Sequence, residues 1–386
     1  MVPMRGRHSS SGARDNGSNR SIRNGTDERA VSTVLDVALA LLLISASVLV
    51  LGLYLEDGTE AERFDGTSAE RTTETLAATT LSIQYDVGGV ESSDVYVPPE
   101  LTPPGAYERA EYGPATGLLA DAAVTNARIG DHELLAYGDE YEDAVDGSIG
   151  SALVGADRDR DHHRHRVYAV AVWEPYENAS IRGTATAGER PPVDEDVGSA
   201  TIAVSSGLPP LEEAAIRDAY DRGDDREEGI ALVAELLAER LVEGYFPPEQ
   251  SQHALESQGL DRSLKVYHYR ETAAAVGVEF DDPDDEGGPL SRSTANATAA
   301  NERLVYGERG PETILDDLQE WFGDEDEPNG LAAVIADDLR NDALAPELKE
   351  IDRKYDDETA DERVEDLLVE SIALEEATIT VQTWEP

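Results

Sequence analysis

One stretch near the start of the chain is apolar on every side: from Val37 to Leu55 no residue carries a charge. About 20 helical residues rising about 1.5 Å each span a hydrocarbon core of about 30 Å. A surface helix of a soluble domain would show a polar stripe, which this stretch lacks. The pattern predicts a membrane-spanning helix over residues 31–55. The run outlasts a secretory h-region of about 7–15 residues and continues into Tyr54-Leu55-Glu56-Asp57 rather than a small-x-small cleavage site, so the helix is expected to stay in the mature protein.

Beyond it the pattern changes in stages. Residues 56–66 are polar, with Gly58 and Gly66, and read as a juxtamembrane stalk. Ser68 caps a predicted helix over 68–81 that carries a thin apolar stripe through Leu76, and Tyr85 to Val97 predicts two short strands around Gly88-Gly89. Pro98 to Pro104 is a loop, Gly117 to Ile129 a helix built on Leu118, Leu119, Ala122 and Val124, and residues 138–165 read as irregular and charged.

The strongest β pattern is Arg166 to Trp173, apolar on both parities and stopped by Pro175, which predicts a central strand covered on two sides. Ser180 to Ala187, Ser199 to Ser205 and the tail Ala377, Ile379, Val381, Thr383 alternate as half-buried antiparallel strands do. Between the third of these strands and the last, Ile230/Val233/Leu237/Leu241, Ile314/Leu318/Trp321/Phe322, Leu331/Val334/Ile335/Leu339 and Val364/Leu367/Leu368/Ile372 recur at helical spacing. The acidic runs Asp281 to Gly288 and Gly323 to Asn329 connect them.

The expected fold class is therefore α+β: one N-terminal transmembrane helix, then an extracellular domain with a mainly antiparallel sheet covered by helices. The expected organisation is a disordered basic leader over 1–30, the anchor helix over 31–55, the stalk over 56–66, a helix- and loop-rich part over 67–165 and an α+β core over 166–386. Trp-Glu-Pro ends both the Arg166–Trp173 strand and the tail strand. The two are expected to lie in one sheet, with the helices as the covering layer.

Charge changes the picture of the setting. Asp and Glu number 82 against 31 Lys and Arg, a net charge of −51, and only Lys265, Lys349 and Lys354 are lysines. Such a chain repels itself unless salt screens it, as ~1 M salt does by shortening the Debye length to about 3 Å. The balance looks like a halophile's adaptation and excludes nucleic-acid binding, which needs a basic face. There is no cysteine, so no disulfide framework or thiolate chemistry is available. Six arginines up to Arg29 face three acids, whereas the residues after Leu55 are acidic. The positive-inside rule then places the N-terminus in the cytoplasm and the C-terminal domain outside the cell membrane.

Arg29-Ala30-Val31-Ser32, just ahead of the apolar run, resembles the class III signal peptide of archaeal type IV pilins. The resemblance implies cutting by a prepilin peptidase between Ala30 and Val31, with Arg29 as the basic residue of the processing site. The run Val-Ser-Thr-Val-Leu-Asp lacks the Pro and Gly common in haloarchaeal pilins, and Asp36 falls one place beyond the Glu of bacterial prepilins. Taken with Ala-Val-Trp-Glu-Pro-Tyr and the Thr-Trp-Glu-Pro end, the chain resembles uncharacterised haloarchaeal membrane proteins with pilin-like N-termini. That implies a minor-pilin or pseudopilin type of structural or adhesion subunit, with the lipid bilayer, a prepilin peptidase and other pilin-like subunits as partners. An uncleaved, signal-anchored surface receptor or ligand-binding protein is the alternative.

Candidate chemistry is sparse. His162, His163 and His165 form the one histidine cluster, and His163 and His165 on a strand would share a side with Asp161. Interleaved arginines would repel a cation, so the run reads as a solvated loop. Asp157/Asp159/Asp161 and Asp282/Asp284/Glu286 mimic the start of a calcium loop but lack its twelfth-position Glu. No phosphate-binding loop, nucleophile elbow or H-E-x-x-H motif is present. The expectation is a protein without enzymatic activity, cofactor or metal. Asn178-Ala-Ser180 and Asn296-Ala-Thr298 are N-glycosylation acceptors on the side placed outside.

Overall fold

A computed structural model describes residues 67–87, 105, 107–130, 132–135, 137–156, 166–281, 287–307 and 329–385. The predicted anchor over 31–55, the leader, the stalk, the 98–104 loop, the histidine run and the 314–322 helix lie outside the described residues. Among the described residues no helix is long and apolar enough to cross a membrane.

In chain order the described elements begin with α1 (Thr67–Ala78), β1 (Thr80–Asp86), β2 (Glu108–Pro114), α2 (Ala115–Thr125), β3 (Arg128–Ile129), β4 (His132–Glu133) and α3 (Gly138–Ala156). Three longer strands follow, β5 (Arg166–Trp173), β6 (Ile181–Gly188) and β7 (Gly198–Ser205). Then come α4 (Glu213–Tyr220), α5 (Arg226–Tyr245), α6 (Pro248–Glu256), α7 (Leu260–Ala275), α8 (Ala297–Tyr306) and α9 (Leu331–Asp338). A π-helical turn (Leu339–Ala343), α10 (Ala345–Lys354), α11 (Asp357–Ser371) and the returning strand β8 (Glu376–Trp384) complete the order.

β5 is central, as its sequence predicts. It pairs antiparallel with β6 on one edge and β8 on the other, Ala169 opposite Val381 and Ala171 opposite Ile379, in a sheet ordered β4-β3-β6-β5-β8-β7. The two Trp-Glu-Pro tryptophans are both fully buried, and the Trp173 indole donates to the Leu374 carbonyl at 3.0 Å. Among the described residues the covering is uneven, however, although Tyr168 on the second face is buried. Ala169, Ala171 and Trp173 are buried, whereas Val170 and Val172 on the other face are half-buried among Thr378, Thr380, Thr184 and Thr186. Helices α1, α2 and α3 cover the inner face.

Small residues set that contact. A Cβ on Gly183 of β6 would stand 1.8 Å from the Ala123 carbonyl oxygen of α2, so helix and strand lie backbone to backbone. Ala120, Ala122 and Ala123 on the helix and Ala185 and Ala187 on the strand are all buried there.

Two expectations need correction. Residues 138–156 are not irregular: α3 runs 19 residues because Tyr141, Val145 and Ile149, spaced by four, form a buried stripe that the intervening acids and glycines hide. The strand expected from Tyr85 begins earlier, and Gly88 to Val97, where its partner is expected, lie outside the described residues. β1 starts at Thr80 and pairs with β2, Ile83 opposite Glu111, across a long connection.

The remaining helices gather around α5, which is buried on most of its circumference through Ile230, Val233, Ala234, Leu237, Ala238 and Leu241. Asp225 caps it by accepting from the Glu228 amide at 3.0 Å, while the Glu228 carboxylate accepts from the Asp224 amide at 2.6 Å, a capping box displaced by one residue. One apolar core runs from Leu76 through this bundle to Val381.

Candidate functional site

Among the described residues, the most perturbed acid lies where β2, α2 and α3 meet. α2 is an apolar helix, with Leu118, Leu119, Ala122, Ala123 and Val124 buried, and Asp121 is its one charge. The Asp121 side chain is half-buried beside the loop that follows β7, where a Cβ on Gly207 would come within 3.4 Å of its Oδ1. Burial, and next the negative charge of Glu111 on β2, push its pKa up to about 7.

Aromatic side chains wall the same space. Tyr141 of α3 is 2 % exposed, and burial, followed by the charges of Glu111 and Asp121 and the approach of the Glu111 carboxylate to its hydroxyl, raises its pKa. Tyr85 of β1 meets Tyr141 edge-on at 4.9 Å and stacks on Tyr137 at 5.8 Å, and Tyr137 in turn lies 5.3 Å from the ring of His268 on α7. His268 is buried with its Nε2 unpartnered, and desolvation, then the charge of Lys265, push its pKa down to about 3, so it is neutral. A carboxyl that titrates near neutrality, a second carboxylate and a desolvated phenol can exchange a proton or accept hydrogen bonds from a polar ligand.

A second polar node is a latch. Asp338, 4 % exposed at the end of α9, accepts from the Tyr176 hydroxyl at 2.6 Å and from the Ser180 amide at 2.8 Å. These bonds fix the β5–β6 turn to the bundle, and the π-helical turn begins at the next residue. Both bonds are accepted by Oδ2 and come from protein groups of the turn, which marks a structural role.

Of the residues singled out from sequence, two are described. Asn178 is exposed in the β5–β6 turn at φ 60°, beside that latch. Asn296 is exposed at the N-cap of α8, where its side-chain oxygen accepts from the Ala299 amide at 3.1 Å and its backbone amide donates to the Pro289 carbonyl at 2.9 Å. The processing residues Arg29, Ala30 and Val31, the histidines 162, 163 and 165, and both calcium-like runs lie outside the described residues. No group of three His, Asp or Glu side chains poised for a metal ion occurs among the described residues. Sequence reading missed Asp121 although a signal was present: a single acid inside the apolar run Gly117 to Val124.

The family described as a family of unknown function, DUF7284, matches residues 35–384, and the chain belongs to it. No curated protein and no solved structure matches the chain.

Proposed function

We propose that this DUF7284 member is a single-pass membrane protein of pilin-like type, a structural or adhesion subunit of a halophilic archaeon, with its folded part outside the cell. The observation that carries this reading is the span of the family match. It starts at residue 35, takes in the whole apolar run 37–55 and ends at Trp384, the last residue of β8. The run and the fold are thus matched as one unit, while the leader with Arg29 and Ala30 falls outside it. The bilayer, a prepilin peptidase and other pilin-like subunits are the partners that follow, and Asn178 and Asn296 are the glycan acceptors on the exposed side.

Mass spectrometry of the protein from native membranes tests the processing step: the expected N-terminus is Val31. An intact leader on an otherwise membrane-bound chain would instead make the protein an uncut, signal-anchored receptor, and the Asp121–Glu111–Tyr141 niche is the place where such a receptor would hold a polar ligand. Protease added to intact cells is expected to remove the folded part. Full protection would overturn the orientation.

A further inference from the structure

The two edges of the large sheet are treated differently. On the β6 side, β3 covers Ile181 and Arg182, the Asn126 side chain donates to the Thr184 carbonyl at 3.2 Å, and carboxylates one helical turn apart on α3 take the next amides: Glu142 from Thr186 at 2.7 Å and Asp146 from Gly188 at 2.6 Å. Among the described residues the β7 side has no such cover: β7 ends the strand order and pairs with β8 alone.

The geometry of the ladder says which groups face outward. The Ser206 amide donates to the Glu375 carbonyl at 2.8 Å, a directly opposite pair that continues the β7–β8 register. Hydrogen-bonded and non-bonded pairs alternate in an antiparallel ladder, so Gly198, Ala200, Ile202 and Val204 turn their backbone groups to β8. Ser199, Thr201, Ala203 and Ser205 turn theirs outward. The Thr201 and Thr380 hydroxyls, 3.2 Å apart, fit the closer approach of a non-bonded pair.

Among the described residues β7 carries none of the usual edge protections. Its sequence Gly-Ser-Ala-Thr-Ile-Ala-Val-Ser has no proline and no charge, and its pairing with β8 is unbroken over eight positions, so no bulge bends it away. At the chain's 29 % charged fraction an eight-residue strand would carry about two charges. The middles of the neighbouring outer-face rows, Thr378/Thr380/Gln382 and Val170/Val172, are uncharged as well, the charges Glu376 and Arg166 standing at the ends of their strands. On a molecule of net charge −51 the eight residues of β7 themselves present no like charge to a second copy.

We propose that β7 is a self-association edge, joined to β7 of a second copy across a two-fold axis at Ile202. That register sets Ser199 opposite Ser205 and Thr201 opposite Ala203 of the second copy, so every outward backbone group finds a partner. On the inner face it sets Ile202 against Ile202 and Ala200 against Val204. These three side chains are only half-buried in the single chain, while Ile379 and Val381 one strand inward are fully buried, and the pairing completes their cover. It holds whether or not the leader is cut.

The absence of cysteine gives a clean test on the full chain in detergent and ~2 M KCl. A non-bonded pair on the axis stands about 4.5 Å apart between Cα atoms, within disulfide reach. Ile202→Cys is expected to form a disulfide-linked dimer on mild oxidation, and Val193→Cys, on a fully exposed loop residue, is not. Light scattering of the unmodified chain is expected to give twice the chain mass. Ala203→Pro removes an outward N–H that β8 does not use, so it should abolish the dimer and keep the melting transition. A monomer at every concentration, equal cross-linking of the two cysteine variants, or a folded Ala203→Pro protein that stays dimeric would overturn the proposal. So would finding the β7 edge filled by another protein's strand. Should Ala203→Pro fail to fold, the two cysteine variants decide alone.

Discussion

Asp121 changes charge in the range around neutrality, and that has a stability consequence whose sign is fixed. Its folded pKa, about 7, lies above the unfolded value of about 3.9, so the folded state holds the proton more tightly. The contribution to stability is fully present below about pH 4 and is lost as pH rises through 7. Asp121→Asn cannot ionise. It should raise the melting temperature at pH 8 and leave it nearly unchanged at pH 4, and an equal shift at both pH values would show that ionisation is not what matters there. Gly183 makes a purely steric prediction. Ala at this position puts a methyl group into the Ala123 carbonyl, and helix and strand must separate. Gly183→Ala should cost about 3 kcal/mol or more in denaturant unfolding, at or beyond the upper end of ordinary overpacking. Both residues concern α2, Asp121 lying on it and Gly183 packing against it, but only the second effect should be independent of pH.

At the scale of elements, the strands were readable because alternation is a local signal. β5, β6, β7 and β8 all lie within a residue or two of where the pattern of Ala, Ile, Val and Thr puts them, and pairing β5 with β8 followed from two apolar parities on one strand and a single apolar face on the other. α3 was not readable, because three buried residues among acids and glycines weaken a helical period that only the packing against β1 and β6 makes decisive. The β1–β2 pair was missed since its strands are joined by a long connection rather than a tight turn. The Asp121 niche depends on residues from β1, β2, α2 and α3 meeting in space, so its aromatic walls leave no trace in local sequence. The β5–β8 pairing makes the C-terminus structural. Deleting residues 377–386 removes a strand bonded on both edges, with Ile379, Val381 and Trp384 at 0–1 % exposure. The truncated chain should lose its cooperative melting transition, whereas deletion of residues 1–28 should leave it intact. A truncated protein that melts like the full chain would contradict the role of β8.

For the whole molecule, two electrostatic effects of opposite sign compete. Arginines form bridges between helices: Arg217 to Glu365 and Asp366, Arg226 to Asp361 and Asp352, Arg340 to Glu227. These bind α4 and α5 to α11, α10 and the π-helical turn, and salt weakens them. They are partly exposed, however, and each such pair contributes about 0–1 kcal/mol. Against them stand 82 acids and only 31 bases, so even with every base paired once, 82 − 31 = 51 acids have no cation. Their mutual repulsion acts over about 10 Å at ~0.1 M salt and only about 3 Å at ~1 M. It weighs on the folded chain more than on an expanded one. The repulsion is therefore the larger effect, and added salt should stabilise. Circular dichroism is expected to give a higher melting temperature in ~2 M than in ~0.1 M KCl. An unchanged or lower melting temperature would mean that the arginine bridges dominate, and the adaptation to high salt read from the composition would then be wrong.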